Sequence, residues 1–309
     1  MPSTSVLEAI GKTPLVQLHK VVPEGAARVL VKLEYFNPTG SYKDRMALST
    51  IEGAEHRGVL KPGMRVVEYT GGSTGSSLAM VCAVKGYRFT PISSDAFSRE
   101  KLDTMRAFGG DLIMVPSEGG KITAELFARF REAVAREAAQ PGVFWADQFN
   151  NPDVVEGYAP MGRELIAQVD TPMTAFCAAV GSGGMLAGVS RAFKEGGCQA
   201  WVVALEPAES PILSEGRAGA HRVEGVGVGF WPPHLQTGDY DEIRSVPEAE
   251  ARAMARRLAH EEGVFAGTST GLNVCAAVQL AKELGPKASV VTVAVDTGLK
   301  YLAGDLYSG

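Results

Sequence analysis

Residues 66–80, VVEYTGGSTGSSLAM, combine the two kinds of segment that decide the fold of this chain. A short run with strand propensity leads through a turn of Gly, Ser and Thr into an apolar segment that is typical of a buried helix. The same order of strand and then helix recurs along the chain. We predict strands at residues 29–33, 65–69, 89–93, 112–115, 175–180, 201–205 and 290–295. We predict helices at residues 41–56, 76–85, 98–108, 123–138, 185–194, 247–262 and 272–284. This alternation predicts an α/β fold in which helices cover mostly parallel sheets.

The length of the chain, 309 residues, is sufficient for two domains. The best candidate for a break between them is the polar segment 140–152, which contains two prolines and follows a series of strand and helix units. Two-domain α/β enzymes bind their ligands at the carboxyl ends of strands. We therefore expect a ligand site formed by the loops that follow the strands.

The composition excludes several classes of function. Lys and Arg number 30 and Asp and Glu 35, which gives a formal net charge of −5, and both signs are mixed along the sequence. This balance lacks the basic surface of a nucleic-acid-binding protein or of a polybasic membrane-surface protein. No apolar run approaches the roughly 18 residues of a membrane span, and the N-terminal segment lacks the pattern of a signal peptide. We therefore expect a cytoplasmic protein with neither a nucleic-acid partner nor a membrane.

The turn at residues 70–75 is predicted to bind an anion. Small hydroxyl residues at a helix N-terminus present several N–H and O–H donors together, which suits a carboxylate. The turn also matches Gly-x-Ser-x-Gly, in which Ser73 would be the nucleophile of a serine hydrolase. That alternative requires an acid and then a histidine later in the chain. The candidate histidines are His221, His234 and His260. A purely structural loop is the third alternative.

A lysine stands at the start of another predicted helix. Residues 37–45, NPTGSYKDR, follow a predicted strand, with Ser41 as the expected N-cap and Lys43 in the first helical turn. Because a helix N-terminus is electropositive, this position favours the uncharged amine. An uncharged lysine is what imine formation with a carbonyl requires. The alternative is a solvated lysine that is paired with Asp44.

A glycine-rich loop follows a later strand. Residues 181–188, GSGGMLAG, lead into a predicted helix, and glycine N–H groups at a helix N-terminus form the usual cradle for a phosphate. Dinucleotide binding is the alternative, because Glu206 ends the next strand. Leu186, however, stands where the third glycine of that motif belongs. Residues 267–271, GTSTG, open another helix in a similar way, and a plain capped loop is the alternative there.

Together these motifs resemble the fold-type II pyridoxal-phosphate enzymes of the cysteine synthase (O-acetylserine sulfhydrylase) and cystathionine β-synthase family. The resemblance covers nearly the whole chain. The segments that carry it, besides 37–45, are IGKTPL at 10–15, DQFNNP at 147–152, VEGVG at 223–227 and DTGLKYL at 296–302. It implies a fold like that of the tryptophan synthase β subunit, with a twisted, mostly parallel sheet flanked by helices in each domain. The larger domain would comprise residues 1–40 and 147–309, and the smaller, mobile domain residues 41–146.

The resemblance also implies roles for individual residues. Lys43 would hold pyridoxal 5′-phosphate as an internal aldimine, and Ser269 would hydrogen-bond the pyridine nitrogen. The residues that would bind the phosphate are Gly181, Ser182, Gly183, Gly184 and Met185. The residues that would bind the substrate carboxylate and the ring oxygen of the cofactor are Thr70, Gly71, Gly72, Ser73, Thr74 and Gln148. Ser73 would contact both cofactor and substrate, and no metal is implied.

The implied reaction is a β-replacement. It would form L-cysteine from O-acetyl-L-serine, or a related activated serine, and sulfide through an aminoacrylate, in a homodimer. Because the hydroxyl of Ser269 cannot keep the pyridine nitrogen protonated as a carboxylate would, the ring is a weaker electron sink, which favours loss of a β-substituent. The alternatives are condensation of serine with homocysteine, β-elimination by a serine or cysteine lyase, and a catalytically idle paralogue.

Departures from the family pattern concern the substrates. The family usually has TSGNTG in the carboxylate loop, so Gly71 replaces a serine and Ser73 an asparagine. Met185 replaces a threonine in the phosphate loop. Glu224 matches cystathionine β-synthases better than most cysteine synthases, which more often have glutamine. These changes leave open which donor and which nucleophile the chain uses.

Overall fold

The structure, a computed structural model, describes residues 3–120 and 123–308. Strands and helices alternate along the chain, so the predicted α/β fold class is confirmed. The strands are β1 Leu15–Gln17, β2 Arg28–Leu33, β3 Arg65–Tyr69, β4 Arg88–Ser93, β5 Ile113–Met114, β6 Val143–Trp145, β7 Ala175–Ala179, β8 Trp201–Pro207, β9 Glu242–Val246 and β10 Ser289–Ala294. The helices are α1 Lys43–His56, α2 Ser73–Lys85, α3 Arg99–Ala107, α4 Ala124–Ala138, α5 Asp153–Gln168, α6 Gly184–Glu195, α7 Ile212–Glu215, α8 Glu248–Arg257 and α9 Thr268–Leu284.

Short turns of other helix types supplement these elements. Turns of 3-10 helix lie at Val6–Ala9, Glu34–Phe36 and Gly298–Tyr301. The helix predicted at 247–262 is α helix only as far as Arg257, and it continues as a π turn over Leu258–Glu262. Within the two described ranges, none of the helices is long and apolar enough to cross a membrane.

The chain divides into two compact units. Unit 1 comprises Met1–Ile10 and Asn37–Gly157, and unit 2 comprises Gly11–Phe36 and Tyr158–Gly309. The predicted domains differ from these units in assigning residues 1–10, 37–40 and 147–157 to the larger domain. The mobility of the smaller domain stays a prediction.

One mixed sheet forms the centre of unit 2. Its described strands lie in the order β1-β2-β10-β7-β8-β9, and all neighbours are parallel except β1, which pairs antiparallel with β2. Val29, Val31, Val290 and Val293 are fully buried in the central strands. Burial of successive residues means that both faces are covered, as expected of a parallel sheet between helices. The edge strands β1 and β9 are only partly buried and were not predicted.

A parallel sheet forms the centre of unit 1. Its described strands lie in the order β5-β4-β3-β6. Strand β6 lies inside the segment 140–152 that the sequence indicated as a break, and the two units divide between Gly157 and Tyr158. Val143, Phe144 and Trp145 pair with β3 and are partly buried, because this apolar triplet completes the sheet despite its polar flanks.

Two of the predicted ligand loops are themselves the first turns of helices. Helix α2 begins at Ser73, three residues before its predicted start, and α9 begins at Thr268, four residues before its predicted start. The hydroxyl residues of both loops therefore lie beside the free N–H groups of a helix N-terminus. Helix α6 begins at Gly184, immediately after the glycine-rich turn that follows β7.

Candidate active site

Lys43 is the first residue of α1 and is 9% exposed. Its backbone N–H donates to Ser41 Oγ at 3.3 Å, and its Nζ lies 4.9 Å from the ring centroid of Tyr42. The N-cap is Tyr42, whose side chain makes no capping bond, so the predicted N-cap Ser41 is wrong by one residue. Lys43 is therefore a buried lysine in the first turn of a helix.

Asp44, which the solvated alternative pairs with Lys43, bonds the turn that precedes it. Its carboxylate accepts the backbone N–H of Thr39 at 2.8 Å and the Thr39 hydroxyl at 2.5 Å. Asp44 is fully buried. These contacts fix the turn that leads into α1, and the burial of Lys43 opposes its interpretation as a surface lysine.

The predicted carboxylate loop, residues 70–75, is held by hydrogen bonds from its own hydroxyls. Thr70 Oγ1 accepts the N–H groups of Gly72 at 3.1 Å and Gly75 at 3.2 Å, and thus ties both ends of the turn together. Thr74 Oγ1 donates to Gln148 Oε1 at 2.8 Å, and Gln148 Nε2 donates to the carbonyl oxygen of Tyr69 at 3.2 Å. The structure thus brings the predicted residues Thr70, Thr74 and Gln148 together in unit 1.

A buried carboxyl that the sequence analysis missed supports this loop from strand β3. Glu68 is fully buried, and its Oε2 accepts the backbone N–H of Gln148 at 3.1 Å. Burial, with a smaller contribution from the nearby Asp147, raises the pKa of Glu68 to about 8 against the lowering effect of that hydrogen bond. Glu68 is therefore largely protonated at neutral pH. The available signal was a charged residue within the apolar strand VVEY.

The predicted phosphate loop has no space for a side chain at two of its glycines. A Cβ on Gly181 would lie closer than 3.0 Å to the carbonyl oxygen of Gly225, and a Cβ on Gly183 would lie 3.0 Å from Leu235 Cβ. Gly183 also has φ +83°, which disfavours any other residue. Ser182, Gly184 and Met185 are buried beside them at the start of α6. Close-packed glycines at the N-terminus of a twelve-residue helix fit a phosphate group.

Ser269 lies in the first turn of α9 and is 2% exposed. The residue that begins this turn, Gly267, donates its N–H to the carbonyl oxygen of Asp296 at 3.1 Å. Tyr301 donates its hydroxyl to the Asp296 carboxylate, at 2.9 Å from the nearer oxygen. Asp296 and Tyr301, in the segment DTGLKYL, thus brace the turn that carries Ser269, a role that the sequence analysis did not assign.

The comparisons with known proteins agree with the motifs. The sequence profile of the family described as pyridoxal-phosphate dependent enzyme matches residues 6–296. The chain belongs to this family. A cysteine synthase of Staphylococcus aureus (strain Mu50 / ATCC 700699) is 43% identical over 310 residues, which covers 99% of this chain and 98% of that protein.

Solved structures of pyridoxal-phosphate enzymes of this kind have the same fold. An O-ureido-L-serine synthase superposes with a TM-score of 0.91 at 36% identity, covering 100% of this chain and 96% of that chain. A cysteine synthase of Entamoeba histolytica superposes with a TM-score of 0.91 at 33% identity, covering 100% and 92%. The predicted family and the predicted cofactor are thus confirmed, and the serine hydrolase alternative loses its support.

The residues predicted to meet one cofactor are divided between the units of this pyridoxal-phosphate enzyme. Lys43, the loop 70–75 and Gln148 belong to unit 1, whereas the loop 181–185 and Ser269 belong to unit 2. Within residues 3–120 and 123–308, no group of three or more His, Cys, Asp or Glu side chains could hold a metal ion. The buried lysine and the glycine cradle fit the aldehyde and the phosphate of pyridoxal phosphate, respectively.

Proposed function

We propose that this chain forms L-cysteine from O-acetyl-L-serine, or a related activated serine, and sulfide by β-replacement. The observation that carries the proposal is the similarity to cysteine synthases over the full length of the chain. The arrangement of Lys43 and the carboxylate loop in unit 1 supports the same reaction. The donor would be a small amino acid, and the acceptor would be sulfide or another thiol.

Lys43 has the central role in the proposal. When bound, pyridoxal phosphate supplies an electron-withdrawing ring to an amino acid that is attached through its amine. Lys43 would hold the cofactor, and its uncharged Nζ would take the proton from Cα of the donor. Burial at the N-terminus of α1 supports that role, because both desolvation and the helix dipole disfavour the ammonium form.

The carboxylate loop would orient the donor. The N–H groups at the start of α2, that of Thr74 among them, and the hydroxyl of Ser73 would bind the carboxylate. The Thr74 hydroxyl donates to Gln148 and so holds that amide beside them. The hydroxyl of Thr70 accepts two N–H groups, which shapes the loop, and its O–H would donate to the same carboxylate. Gly71 and Gly72 would present their backbone to the same ligand.

Unit 2 would bind the other parts of the cofactor. Gly181, Ser182, Gly183, Gly184 and Met185 would surround the phosphate at the N-terminus of α6. Ser269 would meet the pyridine nitrogen with a neutral hydroxyl, which favours departure of the β-substituent over a long-lived carbanion. We further propose that the protein is a cytoplasmic homodimer and that its smaller domain is mobile. Light scattering that gave the mass of a single chain would refute the dimer.

Three reactions compared on the same preparation test the proposed function. O-Acetyl-L-serine with sulfide should turn over faster than L-serine with homocysteine and faster than L-cysteine alone, as measured by amino-acid analysis after loading with pyridoxal phosphate. Faster turnover of L-serine with homocysteine would favour a cystathionine β-synthase-like enzyme. Faster turnover of L-cysteine alone would favour a β-eliminating lyase. Absence of all three activities in cofactor-loaded protein would favour the idle paralogue.

A pair of lysine variants tests the role of Lys43. Lys43→Ala should lower the turnover number by at least about 100-fold, because the loss removes both the attachment point and the base. Lys61→Ala is the matched control, since Lys61 is an exposed lysine of the same unit. Retained activity in Lys43→Ala, with far-ultraviolet circular dichroism unchanged in both variants, would refute the assignment.

A further inference from the structure

The loop 70–75 packs so closely against neighbouring side chains that three of its glycines have no space for a Cβ. A Cβ built on each of these glycines would come closer than 3.0 Å to a side-chain atom of the segment 97–105. The pairs are Gly71 with Phe97, Gly72 with Lys101 and Gly75 with Met105. A Cβ atom essentially never lies that close to a non-bonded heavy atom, so a side chain at any of the three positions would force the loop or its neighbour to move.

The three side chains that fill this space are four residues apart. Lys101 and Met105 lie on one face of α3, and Phe97 lies two residues before its first residue, Arg99. Lys101 and Met105 are buried, and Phe97 is half-buried. The loop thus rests on one continuous surface, in which Phe97 is opposite Gly71.

The ring of Phe97 is held by a column of stacked aromatic rings. It stacks on Phe130 with centroids 6.1 Å apart, Phe130 stacks on Tyr69 at 6.0 Å, and Tyr69 stacks on Phe149 at 5.9 Å. Tyr69 immediately precedes the loop, and Phe149 immediately follows Gln148. The column therefore connects Phe97 to both segments that are proposed to bind the donor carboxylate.

We propose that Phe97 is a positioning residue for the donor. Its ring occupies the space that a side chain at residue 71 would need, and it thereby fixes the backbone of the carboxylate loop. A Cβ on Gly71 would lie 2.5 Å from Phe97 Cε1, so glycine at 71 and phenylalanine at 97 depend on each other. The inference rests on the proposed function only in its identification of the ligand as an amino-acid carboxylate. The packing of the pair is independent of it.

A double-mutant cycle tests the proposal. Gly71→Ser should raise the KM for O-acetyl-L-serine by at least about tenfold, because the serine displaces either the ring or the loop. Phe97→Ala should also raise this KM, since the loop loses its support. The double variant Gly71→Ser with Phe97→Ala should bind the donor better than Gly71→Ser alone. The KM for sulfide should change by less than about twofold throughout, because sulfide has no carboxylate for the loop to bind.

The control removes another ring of the same group. Phe127 meets Phe130 edge-on with centroids 6.0 Å apart, and the three atoms nearest to a Cβ on Gly71 all belong to Phe97 instead. Phe127→Ala should therefore leave the KM for the donor unchanged. An increase equal to that of Phe97→Ala would mean that the loop responds to any loss of core volume, and it would overturn the positioning role.

A readout on the apoprotein separates this inference from the proposed function. The midpoints of thermal unfolding should be non-additive, with Phe97→Ala partly restoring the midpoint that Gly71→Ser lowers. Rescue of folding by the second change, should Gly71→Ser alone not fold, would support the same conclusion. Strictly additive midpoints and KM values would overturn the inference. Absence of O-acetylserine turnover in the unaltered chain would refute only the proposed function, and the midpoints would still decide the packing claim.

Discussion

Glu68 makes the stability of the protein depend on pH. Its folded-state pKa of about 8 lies above the value of about 4.3 for an unperturbed glutamate, so the unfolded chain releases the proton first as the pH rises. Stability from this group is fully present below about pH 4.3 and is lost as the pH rises through about 8. As far as Glu68 is concerned, the protein is therefore more stable in acidic than in neutral solution.

We expect Glu68→Gln to remove this pH dependence. The free energy of unfolding of the unaltered protein should fall relative to Glu68→Gln by up to about 1.4 kcal/mol per pH unit between about pH 5 and pH 8. The glutamine retains an oxygen that can accept the N–H of Gln148. Urea unfolding at a series of pH values measures the difference, and Glu24→Gln, at an exposed glutamate, controls for the loss of a carboxyl. Parallel curves for the unaltered protein and Glu68→Gln would contradict the assigned protonation.

The sequence predicts the roles of some residues of the site but not of others. The position of Lys43 followed from local rules, because a hydroxyl-rich turn and a helix start are encoded in adjacent residues. Glu68 and Phe97 could not be identified in that way. Their roles come from contacts with Gln148, 80 residues away, and with Gly71, 26 residues away, which no local pattern specifies.

At the scale of elements, the turn between β7 and α6 has no space for a side chain at residues 181 and 183. The carbonyl oxygen of Gly225 occupies the space of a Cβ at residue 181. We expect Gly181→Ala to weaken pyridoxal phosphate binding by at least about tenfold, because the overpacked loop must withdraw its N–H groups from the phosphate. Titration of the apoprotein with the cofactor, followed by fluorescence, measures this affinity.

The control for that prediction is Gly304→Ala in the same unit. A Cβ on Gly304 would have its nearest neighbour at 3.6 Å, an ordinary contact. Equal affinity for pyridoxal phosphate in Gly181→Ala and Gly304→Ala would mean that the cradle does not bind the phosphate.

The elements that sequence predicted are those whose hydrophobic pattern is continuous. Central strands such as β2, β7 and β10 are buried on both faces and could be recognised from runs of apolar residues. Helix α5 escaped prediction because Gly157, Pro160 and Gly162 interrupt its pattern. Strands β1, β6 and β9 escaped because each is short or lies at an edge, where pairing with a neighbour determines the structure more than propensity does.

At the scale of the whole molecule, the proposed reaction needs residues from both units. The sequence could indicate the family because its motifs follow one another along the chain from residue 10 to residue 302. It could not give the boundaries of the units, which depend on where contacts concentrate. Unit 1 includes residues 147–157, which the prediction assigned to the larger domain.

The central claim is that Lys43 holds pyridoxal phosphate in an enzyme of this family. Incubation of the protein with pyridoxal phosphate, reduction with borohydride and peptide mapping by mass spectrometry test it most directly, because reduction makes an imine between lysine and cofactor permanent. We expect a stoichiometric label on the peptide that contains Lys43, and none on those that contain Lys61 or Lys101. A stoichiometric label on another lysine, or no label on protein that makes L-cysteine, would contradict the account.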